Sequence, residues 1–370
     1  MEPFLKLVKE AAADPSVLSI KITLYRIDKK SKLAEQLIFA SESGKDVTVL
    51  MELRARFDEQ NNIEWAERLE ESGCRVIYGF EGYKVHSKIC LITRKDKKSF
   101  QYITQIGTGN YNEKTAKIYS DLCLMTADKQ IGNDALQFFK NMSLGNLNSS
   151  YNCLLVAPAD FKRSIIALIE GETEKQKCGE SAGILFKINS LTDRDIIDKL
   201  SQASIAGVKV KLIIRGICCI LPGIEGFTEN IEIASIVGRY LEHSRIYCFG
   251  EGENMKIYIS SADLMTRNTE RRVEIACPIL DENIKARIMG ILEVQLSDNV
   301  KARRLLPSGD YEAISSLGKE SFNSQEYFMD EVVSKLRKTT VSEEDILTKF
   351  KRFFTGLFRF TAFGTSETAL

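Results

Sequence analysis

Two short stretches of this chain echo each other and hold its only two histidines: Val85-His86-Ser87-Lys88-Ile89-Cys90-Leu91 and Glu242-His243-Ser244-Arg245-Ile246-Tyr247. The same plan of elements surrounds each. Ile184 to Asn189 resembles Leu18 to Thr23, and the helix ending at Gly207 resembles the one ending at Gly44. Val208 to Ile214 delivers Arg215 as Val47 to Leu53 delivers Arg54, and Ser260-Ser261-Ala262-Asp263 takes the place of Gly107-Thr108-Gly109-Asn110. A tandem duplication restricts the fold to two copies of one unit, each contributing one histidine.

The alternation of apolar β-rich runs with amphipathic helices makes that unit α/β, a mixed sheet flanked by helices. In the first copy Phe4 to Ala13 reads as a helix, then Val17 to Tyr25 as a strand delivering Arg26. Leu33 to Glu42 and Ile63 to Ser72 read as helices, and Val47 to Leu53, Cys74 to Tyr78, His86 to Thr93 and Tyr102 to Ile106 as strands. Residues 144–152 have linker composition. The expected domains are 1–147, 148–318 and a helical tail, 319–370. Within the tail, 330–349 reads as a mixed-charge helix and Phe350 to Phe363 as a basic aromatic stretch, docked on its own domain or on a partner subunit, or touching a membrane surface.

At 370 residues the chain can fill two cores, and 51 basic against 51 acidic residues give no excess that would favour nucleic acid. Nine cysteines without CxxC spacing fit neither a zinc site nor a disulfide framework, and point to a cytoplasmic setting. The N-terminus has no apolar signal core, and the run Leu212 to Ile224 is too short and interrupted to span a bilayer.

Residues i and i+2 of a strand share a face, so His86 is expected beside Lys88 and His243 beside Arg245. For one such histidine a strand-capping role would suffice; two in matching places point to chemistry. Arg26, Arg54, Arg56 and Arg215 stand at strand ends, with Arg267, Arg271 and Arg272 further on. Their forked donors match phosphate oxygens. A neutral imidazole can attack phosphorus, so the set suits phosphoryl transfer through a phosphohistidine.

His-x-Lys in a duplicated α/β chain resembles the phospholipase D superfamily, although Thr93 and Gly250 stand where that motif carries an aspartate and Arg245 replaces a lysine. More specifically, VLSIKITLYR (17–26), ELRARFDEQNNI (52–63), YKVHSK (83–88), GTGNYNEKTAKIYSD (107–121), IRGICC (214–219), RYLEHSR (239–245) and SSADLMTRN (260–268) resemble polyphosphate kinase. The resemblance implies two tandem phospholipase D-like domains and reversible transfer of the ATP γ-phosphate to inorganic polyphosphate, with Mg2+. It implies His86 as the phosphorylated nucleophile and His243 as a second essential histidine. Tyr119, Arg215, Arg272 and Lys88 would bind ATP and phosphate, and Arg26 and Arg56 would serve the magnesium-phosphate site through phosphate oxygens. The expected partners are ATP or ADP and polyphosphate, with a homo-oligomer left open. The family has two further domains before this region, so the chain reads as a catalytic fragment whose nucleotide pocket is incomplete. The alternatives are a phosphodiesterase and a polyphosphate-binding module without catalysis.

Overall fold

The structure, a computed structural model, describes residues 1–55, 57–314, 318 and 320–337, without the side chain of Glu253. Arg56 and the stretch Phe350 to Phe363 lie outside the described residues. Of the mixed-charge segment 330–349, residues 330–337 are described and belong to a helix covering 324–337.

Six strands of the first half form a mixed sheet. Its order is Arg75–Ile77, Asp46–Met51, Val17–Leu24, Ile89–Asp96, Ser99–Gly107, Cys123–Thr126. The first three run parallel, and the next three add antiparallel neighbours. In the second half the same order recurs as Ile231–Ile236, Lys209–Ile214, Gly183–Ile188, Arg245–Phe249, Lys256–Ser260, Arg272–Pro278. It is extended at one end by Ala302–Leu305 and Tyr311–Ala313, and Leu155–Ala157 pairs with Arg272–Pro278.

Strand alternation sorts the side chains into three cores. Cys90 and Ile92 face an outer core under the helices Glu2–Ala13, Lys32–Glu42 and Glu59–Glu71, while Tyr247 and Phe249 face one under Phe161–Lys177 and Arg194–Ile205. Ile89, Leu91, Ile246 and Cys248 turn to a central core shared by both halves. The helices Lys129–Ser143 and Glu282–Leu296 fill that centre with Phe138, Phe139, Ile288 and Leu292. Each opens on an aspartate, Asp128 or Asp281, accepting hydrogen bonds from first-turn amides. The sheets therefore meet across one continuous apolar layer, and that layer brings both histidine segments to the junction of the halves.

The register corrects two expectations. Ile89 pairs with Ile106 and Ile246 with Ile259, so Gly107 to Asn110 and Ser260 to Asp263 are equivalent, as expected. Ile22, however, pairs with Cys90 where Phe186 pairs with Tyr247. Thr23 and Tyr25 therefore correspond to Lys187 and Asn189. Glu52, not Arg54, corresponds to Arg215, since Leu24 pairs with Met51 and Ile188 with Ile214. The expected match was off by two residues, a shift that leaves every side chain on its own face and so leaves no trace in the apolar pattern. The expected strand from His86 also begins later, at Ile89; His86, Ser87 and Lys88 form a break after the two-residue strand Lys84–Val85.

Candidate active site

That break is a crossover between the halves. Lys84–Val85 pairs in parallel with Arg272 and Val273 of the second half, and Leu241–Glu242 pairs in parallel with Tyr119 and Ser120 of the first. The amides of His86 and Ser87 then donate to the Val273 carbonyl, 2.9 and 2.8 Å away. Those of His243 and Ser244 donate to the Ser120 carbonyl at 3.2 and 3.0 Å. Each histidine is thus anchored by the other half, one residue before a carboxylate. His86 Nδ1 lies 2.9 Å from Glu274, and His243 Nδ1 lies 2.9 Å from Asp121.

Neither acid was assigned a role from the sequence, where Glu274 and Asp121 lie 188 and 122 residues from their histidines. A usable signal existed in the duplication: Asp121 and Glu274 occupy equivalent places beside Thr108 and Ser261. Thr108 Oγ1 donates to Asp121 at 2.7 Å and Ser261 Oγ to Glu274 at 2.5 Å.

Electrostatics separate the two pairs. Burial, assisted by Lys88 and Arg272, holds the His86 imidazole well below its usual 6.5, so the ring is uncharged. Burial pushes Glu274 up to about 7 against the pull of Lys88 and Arg272. His243 is brought down to about 4 by burial and by Arg245. Burial works against Asp121, but hydrogen bonds from His243 and Thr108 outweigh it and hold the carboxylate below its ordinary value.

Lys88, 1% exposed, stands beside His86 and meets it through the main chain. Its ammonium turns back to donate to the His86 carbonyl, 5.4 Å from the centroid of Tyr25. Tyr25 in turn sets its ring edge-on against His86, centroids 4.8 Å apart. Arg245 pairs with Asp263 at 3.0 Å, and its Nη1 lies 3.1 Å from His243 Nε2.

The remaining expected residues fall into two groups. Tyr119 and Arg272 hold equivalent positions next to the carboxylates. The Tyr119 ring is 4.9 Å from that of His243, and Arg272 Nη1 is 3.7 Å from Glu274. Arg215 donates to the Asn189 side chain and, at 2.8 Å, to the Glu242 carbonyl, which places it behind His243. Arg26, half-buried beside Tyr25, pairs with Asp58 at 3.3 Å. Arg54 is not part of the cluster: it braces the preceding loop through the carbonyls of Phe80 and Tyr83, both at 3.0 Å. Among the described residues no three His, Cys, Asp or Glu side chains converge to hold a metal.

A cavity of about 400 Å³ opens beside this site, lined by Phe4, Asn110, Tyr111, Tyr119, Asp121 and Cys123 among others. Gly109 forms part of its wall, and a Cβ there would stand 2.0 Å from Asp121 Oδ2. Gly109→Ala should therefore push Asp121 off His243 and lower turnover by about a hundredfold through misplacement of the imidazole. Crystallography of the variant should show the His243–Asp121 contact broken with His86–Glu274 intact; an unmoved Asp121 would refute the expectation.

Residues 1–148 match the family model described as polyphosphate kinase C-terminal domain 1, and residues 154–325 match that for C-terminal domain 2. The polyphosphate kinase of Staphylococcus saprophyticus is 48% identical over 332 residues, 90% of this chain and 46% of that protein. The polyphosphate kinase of Bacillus anthracis is 48% identical over 324 residues, 88% of this chain and 46% of that one. The crystal structure of polyphosphate kinase from Porphyromonas gingivalis superposes with a TM-score of 0.83 at 39% identity, over 90% of this chain and 51% of that chain. Phosphatidylserine synthase from Haemophilus influenzae shares the fold, with a TM-score of 0.57 at 11% identity over 91% of this chain and 92% of that chain. The chain spans about half the length of the curated relatives it matches. It belongs to the polyphosphate kinase family and carries that family's C-terminal domains 1 and 2.

Proposed function

We propose that the chain transfers the γ-phosphate of ATP to inorganic polyphosphate, reversibly, through a phosphohistidine on His86. The observation that carries this reading is the uncharged His86 ring held through Nδ1 by Glu274 of the other half. Once Glu274 ionises, above about 7, its carboxylate only accepts, so the proton resides on Nδ1 and the Nε2 lone pair is left for phosphorus. In the first step Nε2 forms a bond to the γ-phosphorus and the bond to the ADP oxygen breaks. In the second, a terminal polyphosphate oxygen takes the phosphoryl group and Nε2 recovers its lone pair. ADP departs as a stabilised anion in the first step and His86 as a neutral imidazole that keeps its Nδ1 proton in the second, so neither step depends on protonating a leaving oxygen.

Lys88, Arg272 and Arg245 are the basic groups whose charge reaches His86, and burial draws Lys88 well below its usual value against the pull of Glu274. They would offset the charge spread over the transferring group. Tyr119 offers a face for adenine at the edge of the cavity. Magnesium enters as part of the nucleotide substrate, with Arg26 contacting phosphate oxygens, since a guanidinium cannot ligate a cation. A phosphodiester hydrolase is the weaker fit, with Thr93 and Gly250 in the places of the expected acids.

Incubation with γ-labelled ATP tests the reading. Base-stable, acid-labile label on the protein, chased into polyphosphate, is the expected result; label released only as inorganic phosphate, or cleavage of a phosphodiester, would overturn it. In the same assay Arg26→Ala should depress transfer by about two decades or more, as when a positioned charge on the transferring group is lost. Arg54→Ala should act more mildly, since Arg54 holds a loop and not the cluster. Equal losses in the two variants would reduce Arg26 to a member of a diffuse positive patch.

A further inference from the structure

The two histidine segments are near-equivalent in main-chain pairing, but among the described residues only the second rests on a buried ionic hub built on a lysine. Glu242 precedes His243, is 5% exposed, and gathers four side chains from separate elements. Its Oε2 accepts from Ser120 Oγ at 2.8 Å and from Gln295 Nε2 at 2.8 Å, and lies 3.1 Å from the Lys187 ammonium. Its Oε1 accepts from Gln325 Nε2 at 2.7 Å. Lys187 also donates to Ser244 Oγ at 2.6 Å, on the far side of the histidine. In the first half the equivalent positions are Thr23 and Val85, a hydroxyl and an apolar side chain. The buried Glu52 holds the Val85 amide there, at 2.7 Å, and among the described residues no lysine-centred hub of this kind adjoins His86.

Gln325 is the part of this hub that comes from furthest away. It lies at the start of the helix 324–337 and is 5% exposed. Its amide runs along residue 240 as an added strand would: Nε2 donates to the Tyr240 carbonyl at 2.9 Å, and Oε1 accepts from the Tyr240 amide at 3.0 Å. Close approach requires glycine opposite, since a Cβ on Gly238 would stand 2.5 Å from Gln325 Oε1. The helix start is itself pinned, because Asp298 Oδ2 accepts from both the Ser324 amide, at 2.8 Å, and its hydroxyl, at 2.7 Å. Its carboxylate also holds the amides of residues 300–302.

We infer that Gln325 is a positioning residue for His243: through Tyr240 and Glu242, the helix 324–337 fixes the segment that sets the imidazole on Asp121, independently of His86. The inference rests on reading His243 as one of the reacting pair, and it makes that helix a working part of the site.

With only two histidines in the chain, histidine isotope labelling gives one imidazole signal for each and allows a test that needs no turnover. Gln325→Met keeps the side-chain volume and removes the amide. Gly238→Ala pushes the amide away from the opposite side. In both, water exchange of the His243 Nδ1 proton should become about tenfold faster, as for a contact that opens locally, with the His86 signal unchanged and melting still cooperative. Turnover should fall about tenfold with KM for ATP little changed, the mark of a misaligned group. An unchanged His243 signal, equal changes at both histidines, or loss of cooperative melting would each overturn the inference. Absence of turnover in the parent protein would count against the proposed reaction, while the histidine signals still decide the role of Gln325.

Discussion

His86→Ala is expected to abolish covalent phosphate on the protein, whereas His243→Ala retains detectable label at much reduced turnover. The two imidazoles share their main-chain anchors and each has a carboxylate at Nδ1. They differ at the rest of the ring. Arg245 Nη1 stands 3.1 Å from His243 Nε2 and 3.2 Å from Nδ1, setting a fixed positive charge against the ring and drawing down its basicity. The corresponding cation at His86 points elsewhere: Lys88 donates to the main-chain carbonyl. Both rings are drawn down in basicity, so the difference is one of access. Arg245 stands against His243 Nε2, whereas Lys88 is directed at the main chain, which leaves His86 Nε2 for phosphorus and has His243 act against phosphate together with Arg245. Removal of a nucleophile eliminates the covalent route, a loss of several decades on the scale of other covalent catalysts. Polyphosphate affinity should change little, because the cations remain. Acid-labile label persisting in His86→Ala, and vanishing in His243→Ala, would reverse the assignment.

What could be read in the chain and what could not follows from the range of the interactions. The repeated plan, most strand and helix positions, and the pairing of each histidine with its cation were accessible, because alternation and duplication are local signals. The grouping of Arg215, Arg272 and Tyr119 with them was implied by the family resemblance of their motifs. The carboxylates were not. Two-residue strands such as Lys84–Val85 and Leu241–Glu242 carry no periodicity, yet their pairing across the halves is what brings Glu274 to His86 and Asp121 to His243. Lys21 and Lys187 show the same limit from another side. Both follow an apolar residue on a first strand and look equivalent. Lys21 reaches Asp46 at the rim, 2.9 Å away, whereas Lys187 is 1% exposed in the Glu242 hub and matches Thr23. Burial of a lysine depends on a partner from a distant strand, and that partner is invisible at the lysine. The membrane-touching reading of Phe350 to Phe363 lies outside the described residues, among which no helix is long and apolar enough to cross a bilayer.

Glu274→Gln should cost transfer between about two and four decades, the range of a lost acid–base partner, and should change the pH response in a defined direction. Glutamine can accept from Nδ1, but it can equally turn its amide to donate there. The proton would then move to Nε2 and the lone pair needed for phosphorus would disappear. The negative charge that balances the imidazolium developing at transfer is lost in either case. In the parent protein, ionisation of Glu274 at about 7 should make activity rise as pH rises through that value, and the variant should lack this limb. Stability gives an independent reading. Glu274, raised above its unfolded value of 4.5, contributes stability that is full below that value and lost as pH rises through about 7. His86, lowered from 6.5, contributes stability present above 6.5 and lost as pH falls below it. Between these unfolded values the two slopes oppose, because folded and unfolded chains each carry one proton on the pair. The variant keeps the histidine slope alone. As pH falls from 6.5 to 4.5 it should therefore lose stability relative to the parent by about 1.4 kcal/mol per pH unit, measurable by urea denaturation at a series of pH values. Parallel stability profiles for the two proteins would show that Glu274 and His86 do not share a proton, and the basis for placing the lone pair on Nε2 would be gone.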